Sequence, residues 1–144
     1  MRISECMTRD VQIADPSLTI RDAAKLMASI DAGILPVRDQ DRLVGMITDR
    51  DIAIRAIAEG KGPDATVGEI MSREVKYCFD DDDVDDVLQN MGDIQVRRLP
   101  VINHDKRLVG IISLCDLAKS GNSTEAGEAL SNVSRPGGDH SQTH

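Results

Sequence analysis

The feature that most restricts this chain is that it repeats itself. Ile3-Ser4-Glu5-Cys6-Met7-Thr8-Arg9-Asp10-Val11 lies over Val67-Gly68-Glu69-Ile70-Met71-Ser72-Arg73-Glu74-Val75 at an offset of 64 residues. The same offset carries Met27 onto Met91 and Leu35-Pro36-Val37 onto Leu99-Pro100-Val101. After one inserted residue, an offset of 65 pairs Leu43-Val44-Gly45-Met46-Ile47-Thr48 with Leu108-Val109-Gly110-Ile111-Ile112-Ser113, and Asp51 with Asp116. Register held over this length means one supersecondary unit used twice, each copy covering an apolar face that the other cannot bury alone.

Each copy has the same order of elements. Val11 to Ala14 and Val75 to Phe79 are short β-favouring runs ended by turn residues. Thr19-Ile20-Arg21-Asp22 and Asp83-Val84-Asp85-Asp86 read as helix starts, with an N-cap oxygen and an acid three residues on. Ile20, Ala23, Ala24 and Met27, matched by Val84, Val87, Leu88 and Met91, have the spacing of one buried helical stripe. Two apolar runs, Ile34 to Val37 and Leu43 to Thr48, flank the polar turn Arg38 to Arg42 and predict an antiparallel pair; the second copy repeats this around Asn103 to Lys106. Helices from Asp49 to Ala58 and from Leu114 to Lys119 close the copies.

The pattern is therefore α/β (α+β), two βαββα units, with unit 1 over residues 1–60, a linker at 61–66 around Gly62-Pro63 and unit 2 over 67–120. From Gly121 to His144 the Gly, Ser, Asn and Thr content rises and apolar periodicity stops, so 121–144 is expected to be a flexible tail. A formal net charge of −8 repels nucleic-acid phosphates and anionic membranes, and no run approaches the roughly 20 apolar residues of a membrane span. With no leading apolar segment, a cytoplasmic protein follows. Cys6, Cys78 and Cys115 are too far apart in sequence for a zinc or disulfide pattern and read as reduced thiols.

The repeated combination of Met-Thr or Met-Ser, Leu-Pro-Val, Leu-Val-Gly-x-Ile and Thr/Ser-x-x-Asp resembles the tandem CBS-domain pair, or Bateman module, over residues 1–120. The resemblance implies two CBS units about a pseudo-twofold axis, with clefts that hold adenosine-containing ligands such as AMP, ADP or ATP. Family members are often regulatory parts of larger proteins, whereas no second domain accompanies the pair in these 144 residues, which are expected to stand alone.

Thr48-Asp49-Arg50-Asp51 and Ser113-Leu114-Cys115-Asp116 place a hydroxyl at a helix start and a carboxylate three residues on. Such a pair caps a helix, which contributes about 0.5 to 2 kcal/mol without any ligand. It also offers a carboxylate to a cis-diol and a hydroxyl with free backbone N–H groups to an anion. In the resembled family this Asp holds ribose hydroxyls, which assigns Asp51 and Asp116 that role beside Thr48 and Ser113. The base pocket would come from Ala32, Gly33, Ile34 and Pro36, and from Val96 to Pro100, although Leu35, Val37, Leu99 and Val101 read as core. Family analogy adds Val11 and Val75, with Thr8 and Ser72 as weaker contacts. Arg50, Arg97, Arg98, Lys106 and Arg107 are the cations near these motifs; strand alternation sends Arg97 and Arg98 to opposite faces, each serving a different site.

Other features carry bland readings. Asp80 to Asp86 lacks the ligand alternation of a calcium loop and reads as a charged turn and helix start. Tyr77 and Phe79 read as core or dimer packing, and His104, His140 and His144 assemble no triad or metal cluster. The expectation is a non-catalytic adenine-nucleotide sensor acting through conformation or association, with no catalytic cofactor. Its partners would be the nucleotide, a second copy in a homodimer and a regulated protein, but not nucleic acid or membrane. The alternative is a ligand-free dimeric scaffold that grips and regulates a partner.

Overall fold

The computed structural model describes residues 1–120 and 123–135. The chain divides into two compact units, each with its own apolar core. Gln12–Val75 and Lys106–Leu108 form what we call the N-unit. Met1–Val11, Lys76–Asp105 and the chain from Val109 form the C-unit. The units therefore do not coincide with the sequence repeats: residues 1–11 belong with the second copy, and the segment up to Val75 stays with the first.

In the N-unit, helix α1 (Ile20–Ile30) starts at Thr19, whose Oγ1 accepts from Asp22 N at 3.2 Å. Ile20, Ala23 and Met27 enter the core, as the spacing predicts, but Ala24 stays exposed. Strands β1 (Ile34–Asp39) and β2 (Arg42–Thr48) form the predicted antiparallel pair, with a bulge after Val37. The expected first strand shrinks to one parallel bridge between Ala14 and Val37, because Pro16 and the Asp15–Ser17 turn follow at once. Helix α2 (Asp49–Asp51) runs on into a π-helical segment, Ile52–Ile57, with Lys61 N donating to Ala56 O at 2.9 Å. The wider winding buries Ala56 and leaves Ile54 and Ile57 exposed. Helix α3 (Val67–Ile70) delivers Met71 and Ser72 to the free edge of β2, where Met46 and Ser72 exchange backbone hydrogen bonds of 2.9 and 2.8 Å.

The C-unit repeats this plan. Strand β3 is only Cys78–Phe79, shorter than the expected run from Val75, and pairs in parallel with β4 (Arg98–Ile102), beside which lies β5 (Leu108–Ser113). Thr8, from the start of the chain, fills the position of Ser72 by exchanging 2.9 and 3.0 Å hydrogen bonds with Ile111. Helix α4 (Val84–Ile94) begins at Asp83, whose Oδ1 accepts from Asp85 N at 2.9 Å, and buries Val84, Val87, Leu88 and Met91 as predicted. Helix α5 (Leu114–Ser120) closes the copy.

The exchange of segments explains a glycine in each copy. A Cβ at Gly45 would stand 2.6 Å from Met71 Sδ, and one at Gly110 would stand 2.6 Å from Met7 Sδ. The repeated Met and the repeated Gly are thus packing partners, each Met inserted beneath the sheet of the opposite copy.

The expectation of a flexible tail fails, as does the core alternative for the two aromatics. A flexible stretch from Gly121 is replaced over Ser123–Val133 by helix α6, packed on α4 and α5; residues 136–144 lie outside the described residues. Its apolar stripe, Ala126, Ala129 and Val133, is made of small side chains, and Gly92 of α4 lets it approach until an added Cβ would be 3.3 Å from Ala129 Cα. Gln95 Nε2 donates to Asn132 O and Arg135 O at 3.1 and 3.3 Å, satisfying carbonyls that a helix end leaves open. Tyr77 and Phe79 are not core residues either. Tyr77 is 46% exposed, while Phe79 stacks on His104 with ring centroids 4.6 Å apart. His104 Nε2 meets Asp81 Oδ2 at 2.8 Å, which fixes the turn after β4 against the acidic turn before α4.

Candidate functional site

Each unit brings a matched set of the predicted residues to the corner where the first long strand begins and the last strand turns into a helix. In the N-unit, Ile34 faces Thr48 across the ladder, Pro36 faces Met46, and Met46 pairs in turn with Ser72. Asp49 N donates to Gly33 O at 2.9 Å, closing the corner. Thr48 Oγ1 accepts from Asp51 N and Thr48 N donates to Asp51 Oδ2, both at 3.0 Å. The Thr-x-x-Asp motif is therefore a reciprocal capping box. Asp51 uses one carboxylate oxygen in this way, and Oδ1 has no hydrogen bond among the described residues.

The C-unit matches these bonds one for one. Leu114 N donates to Arg97 O at 3.0 Å, Asp116 N to Ser113 Oγ at 3.1 Å, and Ser113 N to Asp116 Oδ2 at 3.3 Å. Thr48, Asp51, Ser113 and Asp116 are all half-buried, which leaves their polar atoms within reach of a ligand. Ala32, Gly33, Ile34 and Val96 are also half-buried, whereas Pro36 and Pro100 are buried and act as core. Arg50, Arg97 and Arg98 are exposed. Val11 and Val75 are half-buried at two of the points where the chain passes between units.

The sequence grouping of Thr8 with the first copy and Ser72 with the second is reversed by the fold: Thr8 joins Arg97, Ser113 and Asp116, and Ser72 joins Gly33, Thr48 and Asp51. Cys6 accompanies Thr8. Its thiol is pushed up by burial first, then by the nearby Asp116 carboxylate and by Glu5. Lys106 and Arg107 do not join the C-unit corner; Arg107 bridges Arg42, and Leu108 N donates to Asp41 O at 3.0 Å. Sequence reasoning missed Asp49, whose carboxylate folds over Gly33 so that an added Cβ would lie 2.6 Å from Oδ2. The available signal was a second acid inside the Thr-x-x-Asp motif of one copy only.

With this geometry in view, comparison with known proteins decides the family. Residues 3–57 and 67–122 each match the CBS domain. The chain belongs to the CBS-domain family. This CBS pair is 41% identical over 133 residues to CBS domain-containing protein YhcV of Bacillus subtilis (strain 168), covering 92% of this chain and 94% of YhcV. It is 43% identical over 103 residues to Hypoxic response protein 1 of Mycobacterium tuberculosis (strain ATCC 25618 / H37Rv), covering 70% and 71%. Among solved structures, Hypoxic Response Protein I with two coordinated zinc ions superposes with a TM-score of 0.77 at 37% identity, over 85% of this chain and 100% of that one. The CBS domain pair of protein MJ0100, in complex with 5-methylthioadenosine and S-adenosyl-L-methionine, gives 0.71 at 30% identity, over 83% and 94%. Among the described residues of this CBS pair, no group of three or more His, Cys, Asp or Glu could hold a metal ion, and no helix is long and apolar enough to cross a membrane.

Proposed function

We propose that this CBS pair is a non-catalytic cytoplasmic sensor that binds adenosine-containing ligands at its two matched corners and acts through ligand-dependent conformation or association, as a homodimer that regulates a partner protein. One observation carries the reading. At equivalent places in both units, a half-buried Asp has one oxygen locked in its helix cap and the other without a hydrogen bond among the described residues. A ribose cis-diol supplies two donors of the kind such an oxygen lacks. The complex of the MJ0100 pair with two adenosyl compounds supports the ligand class.

The test is calorimetry with adenosine, AMP and ATP on the protein and on Asp51→Ala and Asp116→Ala, with circular dichroism as the check on folding. Losing a hydrogen bond to a charged group costs about 1.5 to 3 kcal/mol, roughly ten- to hundredfold in affinity. Each substitution should remove one binding event. Unchanged binding in the double variant would leave Asp51 and Asp116 as helix caps only.

The scaffold reading has an observation of its own. Ile20, Ala24 and Ala28 of α1, with Ile52, Ile57 and Pro63, line an open apolar groove of about 430 Å³. The absence of any nucleotide in extracts of denatured, freshly purified protein, together with no calorimetric signal, would favour it.

A further inference from the structure

The two corners share their hydrogen bonds and differ in charge. In the N-unit, Asp49 Oδ1 accepts from Arg50 N at 2.8 Å, which holds the carboxylate back over the strand start, in the space a side chain at Gly33 would need. This corner presents two carboxylates, Asp49 and Asp51, against the single guanidinium of Arg50. In the C-unit the equivalent of Gly33 is Arg97, and the equivalent of Asp49 is Leu114, which is buried in the core. That corner has one carboxylate, Asp116, with the exposed Arg97 where the strand begins and Arg98, also exposed, at the first position of β4. The exchanges are sterically linked. Asp49 keeps its position because residue 33 has no Cβ, and Arg97 has room because residue 114 turns inward.

We propose that the two sites divide adenosyl ligands by charge: the C-unit takes those bearing a 5′-phosphate, and the N-unit takes those that are neutral or cationic at the 5′ position. This rests on the proposed binding of adenosyl ligands at both corners. A phosphate beside the N-unit corner meets more carboxylates than cations, and one beside the C-unit corner meets no such excess of negative charge. At exposed sites in water such differences amount to about tenfold in affinity for a doubly charged group, and salt screens them. Guanidinium forks match phosphate oxygens, which adds to the C-unit preference.

Calorimetry with adenosine, methylthioadenosine and AMP on single-site proteins reads this directly. In Asp51→Ala, where only the C-unit binds, AMP should bind at least tenfold more tightly than adenosine. In Asp116→Ala, where only the N-unit binds, adenosine and methylthioadenosine should bind at least tenfold more tightly than AMP. Both ratios should shrink at 0.5 M salt, to about a few-fold. Adding Asp49→Asn to Asp116→Ala keeps the acceptor for Arg50 N while removing the charge, and should raise AMP affinity without changing adenosine affinity. The graft G33R with D49L in the same background should reverse the preference altogether. The same AMP-to-adenosine ratio in both single-site proteins, or no response to Asp49→Asn, overturns the division of ligands and leaves adenosyl binding standing. Failure of all three probes to bind the unmodified protein overturns both.

Discussion

Gly45→Ala tests the exchange of segments at its tightest point. The added methyl would stand 2.6 Å from Met71 Sδ, 3.1 Å from Met71 Cγ and 2.8 Å from the backbone oxygen of Ser72, where ordinary contact begins at 3.4 Å. The sulfur ends a flexible side chain and can move. Ser72 O cannot move freely, since it accepts from Met46 N at 2.9 Å while Ser72 N donates to Met46 O at 2.8 Å. Overpacking a filled core costs about 1 to 3 kcal/mol, and each weakened hydrogen bond adds up to about 1 kcal/mol. A loss of about 2 to 4 kcal/mol is expected, read as a lower urea midpoint at unchanged slope by circular dichroism. Gly110→Ala should cost less, because its backbone neighbour, Thr8 O, lies at 3.0 Å. Gly62→Ala, with nothing within 4 Å of its Cβ, should be neutral or slightly stabilising. A Gly45→Ala protein within about 0.5 kcal/mol of the parent, or a Gly62→Ala protein that loses as much as Gly45→Ala, would refute tight packing at Gly45 as the cause.

Truncation after Ser120 removes α6 from α4 and α5 and takes Ala126 and Ala129 out of the C-unit core, so the urea midpoint should fall by about 2 kcal/mol or more in free energy; an unchanged midpoint would mean that α6 does not dock. His104 is raised above its ordinary pKa of 6.5 by its hydrogen bond to Asp81, then by the charges of Asp81, Asp80 and Asp82. The Asp81 contact is therefore fully formed below pH 6.5 and lost as pH rises through the elevated value, so imidazole NMR should show a raised midpoint that Asp81→Asn lowers. Burial pushes the Cys78 thiol up to about 12, so at pH 8 an alkylating reagent should label exposed Cys115 first and reach Cys78 only on unfolding.

Much of the fold was legible because the repeat doubled every weak signal. Helices α1 and α4, the β1–β2 pair and the reciprocal Thr48–Asp51 and Ser113–Asp116 caps appear where spacing and turn chemistry place them, although Asp83 caps Asp85 N rather than pairing with Asp86. What could not be read depended on contacts far apart in sequence. Helical spacing alone does not distinguish Ala24, exposed on α1, from its larger, buried equivalent Leu88 on α4, the helix that packs against α6. Helix α6 was hidden because Ala126 and Ala129 give a faint apolar stripe that matters only opposite Gly92. At the candidate site, Thr48, Asp51, Ser113 and Asp116 could be named from the motif alone. The partners of Thr8 and Ser72 could not, since strand-edge pairing leaves no mark on either segment's own composition.

The placing of residues 1–11 in the C-unit also sets a timetable for synthesis. Gln12–Val75 is an almost unbroken stretch that can gather its core as soon as it leaves the ribosome, whereas Met7 and Thr8, made earlier, wait for Gly110 and Ile111, made about a hundred residues later. Closing so long a loop costs on the order of 4 kcal/mol in chain entropy, so the first segment translated acts as a late latch on its unit. Cutting the gene at the repeat boundary would give two fragments, each holding the latch that the other needs.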